Sequence, residues 1–240
     1  MAGKTLKTEA VVLRSIRYGE ADRILHLYSK TRGRIGAIAK GARKPKSRFG
    51  GRLEPFFRLD LILHEGRGEL LTVTNASTLD GYPRLRASGP ALNAGARACD
   101  AVLRLLDAAE PNPPAYNLLC RYLALLDDPG EEAASLETAL SFRLKLALAA
   151  GFAPELASCA NCGEAEHLSG FSGAAGGVVC VSCEAGGFPL SEDAHRFMVG
   201  AVGSPLAEAP RAEERALLQV ERAVRETLEH HAHVQLRSAA

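Results

Sequence analysis

Phe57-Arg58-Leu59-Asp60-Leu61-Ile62-Leu63-His64 (FRLDLILH, residues 57–64) is the stretch on which the fold class turns. Phe57, Leu59, Leu61 and Leu63 alternate with Arg58, Asp60, Ile62 and His64, the two-residue period of a strand with one buried face. Towards the N-terminus, RIGAIAK (Arg34 to Lys40) follows the turn-like Thr31-Arg32-Gly33, and its small residues suit a sharply curved strand. ILHLYS (Ile24 to Ser29) and TEAVVLRS (Thr8 to Ser15) are strand-like too, parted by a polar break at Tyr18 to Asp22. In the other direction a turn at Gly66 to Gly68 opens onto Leu70 to Thr74. Five short strands in about eighty residues, with no βαβ rhythm, predict a small closed barrel such as the OB-fold. The same pattern allows an SH3-like barrel.

After Tyr82-Pro83 the chain turns to Ala and Leu at helical spacing. Ser88 is placed to cap a helix through Ala101, Val102, Leu105 and Leu106, and the Pro111 to Pro114 cluster ends it and starts another through Leu118, Leu119, Tyr122, Leu123 and Leu126. A third is expected from about Glu132 to Ala150, closed by Gly151. Beyond a Gly-rich cysteine segment, Ser191 caps a further helix, and Leu217, Val220, Val224, Leu228 and His231 mark one face of a last one. Helices on both sides of the cysteine segment carry apolar stripes that need covering, so that segment reads as an insertion. The expected class is α+β: a barrel over residues 1–80, a helical domain in two parts at 81–158 and 184–240, and a cysteine element at 159–183.

Hydrophobic residues make up 47% and charged residues 24% of the 240, which excludes disordered and fibrous classes. Charges interrupt every apolar run before it could span a bilayer, and no signal-peptide pattern opens the chain, so a cytoplasmic location is expected. A net charge of +1 hides a strong asymmetry. Residues 1–60 carry fifteen Lys or Arg against five acids, leaving fourteen against twenty-three in the remainder. Between Asp22 and Glu54 stand ten bases and no acid: Arg23, Lys30, Arg32, Arg34, Lys40, Arg43, Lys44, Lys46, Arg48 and Arg52. Clustered fixed cations gain free energy on a polyanion by releasing its condensed counterions. These ten, with Arg14, Arg17 and Phe49, form the expected nucleic-acid-binding set. Aromatics here are few (Tyr18, Tyr28, Phe49, Phe56, Phe57), most of them expected in the core. Contact dominated by phosphates follows, with Phe49 in SRFGGR as the stacking candidate.

Cys159-Ala160-Asn161-Cys162 and Cys180-Val181-Ser182-Cys183 stand seventeen residues apart, the spacing of a four-thiolate zinc site. Each pair turns two sulfurs towards one ion, and four thiolates fill a tetrahedron. A catalytic zinc keeps one position open, so Cys159, Cys162, Cys180 and Cys183 predict one structural zinc. Cys99 and Cys120 sit alone in apolar surroundings and read as core residues. Gly41 to Ser47 imitates a phosphate loop but has Pro45 where that loop needs glycine, so no ATPase activity is expected. His230, His231 and His233 have no ligand partner nearby in sequence and read as a solvated helix end.

TEAVVLRSIRYGEADRILHLYSKTRGRIGAIAKGARKPKSRFGGRLEPF, residues 8–56, resembles the N-terminal domain of the RecO family of recombinational DNA-repair proteins, most specifically in Tyr18 to Arg23 and Lys40 to Ser47. The family also has a helical domain, and many members a four-cysteine zinc element. The resemblance implies a non-enzymatic, nucleoid-associated mediator that binds single- and double-stranded DNA and anneals complementary strands. It also implies a role, with RecR as main partner, in loading RecA onto DNA coated with single-stranded-DNA-binding protein. It further places protein partners on the acidic helical body, with a basic pocket near Arg97, Arg104 or Arg121 as receptor for the acidic tail of single-stranded-DNA-binding protein. Two other classes stay open from the residues alone: an RNA-binding or translation-associated OB-fold protein with a structural zinc, and a zinc-dependent enzyme, which would need an open coordination site.

Overall fold

The computed structural model describes residues 4–66, 68–106, 110–128 and 130–239. Five strands, β1 (Thr5–Tyr18), β2 (Asp22–Ser29), β3 (Gly33–Ala39), β4 (Arg58–His64) and β5 (Leu71–Asp80), close in the order β1-β2-β3-β5-β4. All neighbours are antiparallel except β3 and β5, which gives the OB-fold barrel. The alternation in residues 57–64 holds: Leu59, Leu61 and Leu63 are fully buried, and Arg58, Asp60, Ile62 and His64 are half-buried.

Strand β1 is longer than the eight residues expected because it serves two partners. Thr5 to Val11 pairs with β4 and Ala10 to Tyr18 with β2. The register shifts between Val12 and Arg14, a bulge that lets four successive residues, Ala10 to Leu13, be buried before Arg14 turns outward. Residues 40–57 run from β3 to β4 without regular structure. They are pinned by Ala42, Phe49 and Leu53, which join Val12, Leu25, Leu27, Leu61 and Val73 in the barrel interior.

The chain divides into two compact units, residues 1–128 and 129–240. Helices α1 (Pro83–Ala87), α2 (Gly89–Leu105) and α3 (Pro113–Leu126) belong with the barrel; α2 lies against β1 and β2, and the rings of Tyr28 and Tyr116 meet at 6.3 Å. The short α1 arises at Tyr82-Pro83, where only the boundary was expected, because Pro83 suits a first helical turn. In the second unit α4 (Leu136–Ala149), α5 (Glu192–Gly203) and α6 (Glu214–His231) pack on one another. The cysteine element stands between α4 and α5 in sequence, with β6 (Leu168–Ser172), β7 (Gly177–Cys180) and β8 (Phe188–Pro189) in a three-stranded sheet. Ser88, Asn112, Ser135 and Ser191 cap α2 to α5, each side-chain oxygen accepting an N–H three residues on. Helix α4 starts at Leu136 and not near 132 because Ser135 is the residue that caps it.

Candidate nucleic-acid interface and metal centre

The β3–β4 connection turns its apolar residues into the barrel, so its bases face water. Lys40, Arg43, Lys44, Lys46 and Arg48 are all exposed, as are Arg14, Arg17 and Lys30. Among the described residues none of these eight is ion-paired. The connection is stitched to the β1–β2 hairpin: the Arg43 N–H donates to the Ala21 carbonyl at 2.8 Å and the Gly41 N–H to Asp22 Oδ1 at 2.7 Å. Arg43 also reaches the Gly19 carbonyl through Nη1 at 3.3 Å. Two basic segments, 14–17 and 40–48, are thereby tied to one end of the barrel. Burial lowers the pKa of His26 first, and the positive charges of Arg14 and Arg34 lower it further.

The remaining expected residues have structural engagements. Arg23 pairs with Glu54 at 2.5 Å and donates to Ser15. Arg34 donates to the Leu103 carbonyl, joining β3 to α2, and Arg52 donates to the Ala76 carbonyl at 3.0 Å. Arg32 is half-buried in the turn before β3. Phe49 is a correction. At 1% exposure it fills the barrel interior, with the Arg48 guanidinium 4.9 Å from its ring centre, so it has no free face for a base. An aromatic given no role of its own is instead open: Tyr18, 54% exposed at the end of β1. Its place directly before the turn at Gly19 was the signal, since hairpin ends project from a small barrel. In the helices after the barrel, Arg104 is held by Asp100 at 2.8 Å, Arg97 is half-buried and Arg121 is exposed. A further group of arginines, unforeseen from sequence, surrounds a cavity in the second unit. There the buried Arg143 donates to the Arg237 carbonyl at 2.5 Å and faces Glu221, with Arg222 and Arg225 alongside.

The cysteine cluster forms as spacing predicted. The sulfurs of Cys159, Cys162, Cys180 and Cys183 all lie within 4.8 Å of one another, and Cys162 and Cys180 are 3.7 Å apart. A tetrahedron with Zn–S bonds of about 2.3 Å has edges of roughly 3.8 Å. The first pair sits on a knuckle in which the Gly163 N–H donates to the Cys159 carbonyl at 2.8 Å, with Gly163 at φ 80°, where a side chain would be strained. The second begins at the end of β7 and continues into the 3-10 turn Val181–Gly186. The Ala160 N–H donates to the Val178 carbonyl at 2.8 Å and so holds the two halves together.

The electrostatics of the cluster ask for a cation. Backbone N–H groups, that of Cys180 foremost, favour the Cys159 thiolate and lower its pKa to about 6. Hydrogen bonds with the Cys162 and Cys180 sulfurs push the Cys183 thiol up to about 12, and repulsion from the Cys159 thiolate adds a smaller push in the same direction. A dication cancels that repulsion. The four thiolates are therefore a donor set compatible with zinc and leave no fifth protein ligand to place. His231 does not join them: its Nε2 donates to the Gly173 carbonyl at 2.9 Å and ties the 173–176 turn to the end of α6. That contact depends on Gly173, because a Cβ there would strike Glu226 on α6. Cys99 is buried, and burial pushes its thiol up to about 12; Cys120 is half-buried with its pKa raised by the same cause.

The chain is similar to known proteins along its whole length. The family model "Recombination protein O N terminal" matches residues 1–82 and "Recombination protein O C terminal" matches residues 86–240. A protein of Rubrobacter xylanophilus named DNA repair protein RecO is 41% identical over 225 residues, covering 90% of this chain and 89% of that one. Proteins of the same name from Cutibacterium acnes and Geobacter sulfurreducens are 38% identical over 192 residues and 36% over 203, covering 77% and 83% of this chain and 76% and 81% of their own.

Proposed function

The chain belongs to the RecO family of DNA repair and recombination proteins, and on that premise we propose that it is a mediator that works by binding and not by catalysis. It binds single- and double-stranded DNA through the barrel, anneals complementary strands and, with RecR, helps load RecA onto DNA coated with single-stranded-DNA-binding protein. The observation that carries the reading is the set of eight exposed cations on the barrel and its β3–β4 connection, unpaired among the described residues. Exposed cations without an acidic partner displace counterions from phosphates without sequence preference. Arg23, Arg32, Arg34 and Arg52 add positive potential to the same module while holding it together. The acidic helical body is the part assigned to protein partners, because it would repel DNA and has the area that the barrel spends on phosphates. Its work is placed in the cytoplasm, at the nucleoid.

One zinc per chain is assigned to Cys159, Cys162, Cys180 and Cys183, where it supplies charge neutralisation and folding energy. The closed donor set favours a structural role. A strand-annealing assay on complementary oligonucleotides, run with and without RecR, tests the reading. Annealing that RecR modulates and that rising salt suppresses is the expected result; a protein that neither binds nor anneals DNA at low salt overturns it.

A further inference from the structure

We propose that Tyr18 is a base-stacking residue through which the barrel tells single-stranded from duplex DNA. This rests on the DNA-binding reading above and adds the residue that reads unpaired bases. The chain has five Tyr, eight Phe and no Trp, and of these thirteen aromatic side chains only Tyr18 is exposed. The other four tyrosines are buried, and of the phenylalanines only Phe57 and Phe152 are even half-buried, Phe57 lying under the Arg86 guanidinium at 4.5 Å. A small protein that hides every other ring and leaves one in water at the end of its basic module has a ring free for a ligand with an apolar face.

The surroundings of the ring match one nucleotide and its neighbours. Side chains two apart on a strand share a face, so Tyr18, Ile16 and Arg14 line one side of the hairpin. Across from them on β2 stand Asp22, Ile24 and His26, and Ile38 of β3 lies opposite Ile24. Ile16 is 40% exposed, giving an apolar floor beside the ring. Farther along the same outer face the sheet is covered, with Tyr28 against Tyr116 and Arg34 bonded to the Leu103 carbonyl, so the bare area is confined to the hairpin end. Cations border it: Arg14 on the face, and Arg43 held at the Gly19 carbonyl, while the exposed Arg17 precedes the ring in β1 on the alternate face. Two acids are near. Asp22 is occupied by the Gly41 N–H, and Glu20 is exposed in the turn that follows β1.

A stacking ring gains from an unpaired base and gains almost nothing from a duplex, whose bases already stack on one another. Tyr18 thus supplies strand selectivity that the phosphate contacts cannot, because they meet both forms alike. The experiment uses the full chain and a single-stranded oligothymidylate, with a random duplex of equal length as control. Tyr18→Ala should weaken oligothymidylate binding by about 5- to 150-fold and duplex binding by no more than about twofold, leaving the salt slope unchanged. Tyr18→Phe should restore single-strand affinity. Because the chain has no Trp, Tyr18→Trp creates a single emitter, whose fluorescence oligothymidylate should quench and duplex should not. Equal losses on both ligands, or an Ala variant that binds oligothymidylate like the parent while the Trp signal stays still, overturns the stacking role and leaves a ring available to a protein partner. A parent protein that binds neither ligand overturns the DNA-binding reading itself, and stacking with it.

Discussion

The barrel and the cysteine element solve the same problem with different means. The barrel closes on aliphatic side chains, Leu25, Leu27, Leu59, Leu61, Leu63 and Val73 among them, which water-avoidance alone brings together. The buried cluster around the sulfurs is Cys159, Val179 and Cys180, two of whose three members are cysteines. The sheet beside it adds Phe171, Val178 and Phe188, the two rings 5.8 Å apart, a smaller apolar core than the barrel's. A barrel of this kind stands by its own packing. On the zinc reading proposed above, the element needs a cation to make its crowded thiolates compatible, so the two regions should fail independently and for different reasons.

Removing the metal is the strongest way to break that comparison. Structural zinc supplies roughly 10–16 kcal/mol of apparent folding energy in small elements. Cys162→Ser or Cys180→Ser should therefore abolish a one-to-one zinc stoichiometry and expose residues 159–186 to hydrogen exchange. Exchange in β1 to β5 should be unchanged, and DNA affinity should fall little. If the zinc-free variant stays folded yet loses DNA binding, the element is part of the interface and the separation is wrong. Next in size, Leu61→Ala empties part of the barrel and should cost about 2–5 kcal/mol in a denaturant titration. Zinc content after mild treatment should not change; metal release in step with barrel unfolding would show the two regions to be one cooperative system.

A smaller effect sharpens the contrast on the surface. Replacing Lys44 and Lys46 together with Ala should flatten the logarithmic salt dependence of duplex binding by about two, while circular dichroism stays unchanged, because two phosphate contacts are lost and no packing is. An unaltered slope would leave those side chains as solubilising groups only. Smallest, His231→Ala removes the hydrogen bond to the Gly173 carbonyl and should cost about 0.5–1.5 kcal/mol, seen as faster exchange in residues 173–176 with the zinc retained. Zinc loss in that variant would mean that α6 helps to hold the metal site.

What could be read from sequence was what neighbours decide. The alternation through Leu59, Leu61 and Leu63, the caps at Ser88 and Ser191, and the two C-x-x-C pairs each carry their meaning within a few residues of themselves. Long-range partners were not legible. Arg34 looks like a free cation until the Leu103 carbonyl, 69 residues away, is brought to it, and Arg23 until Glu54 is. Phe49 lies among glycines and bases that read as a surface loop, but the open end of a barrel needs a plug and the connection supplies it. Tyr18 was missed for another reason: its place directly before Gly19 marked it, but the few aromatics of the region were expected mostly in the core.

The double pairing of β1 also sets a schedule for synthesis. The β1–β2 hairpin is complete once residue 29 has emerged, but the partner of Thr5 to Val11 is β4, which begins at Arg58. For the interval in which the ribosome adds those intervening residues, the first half of β1 is an open sheet edge, the kind that invites pairing with another nascent chain. Lys4 and Lys7 place charge on that edge, and Lys7 meets Asp60 at 3.3 Å once β4 arrives. Closure of the ring then waits further on β5 (Leu71–Asp80), which bridges β3 and β4, and until β4 arrives the charge of the two lysines disfavours pairing of that edge with another chain.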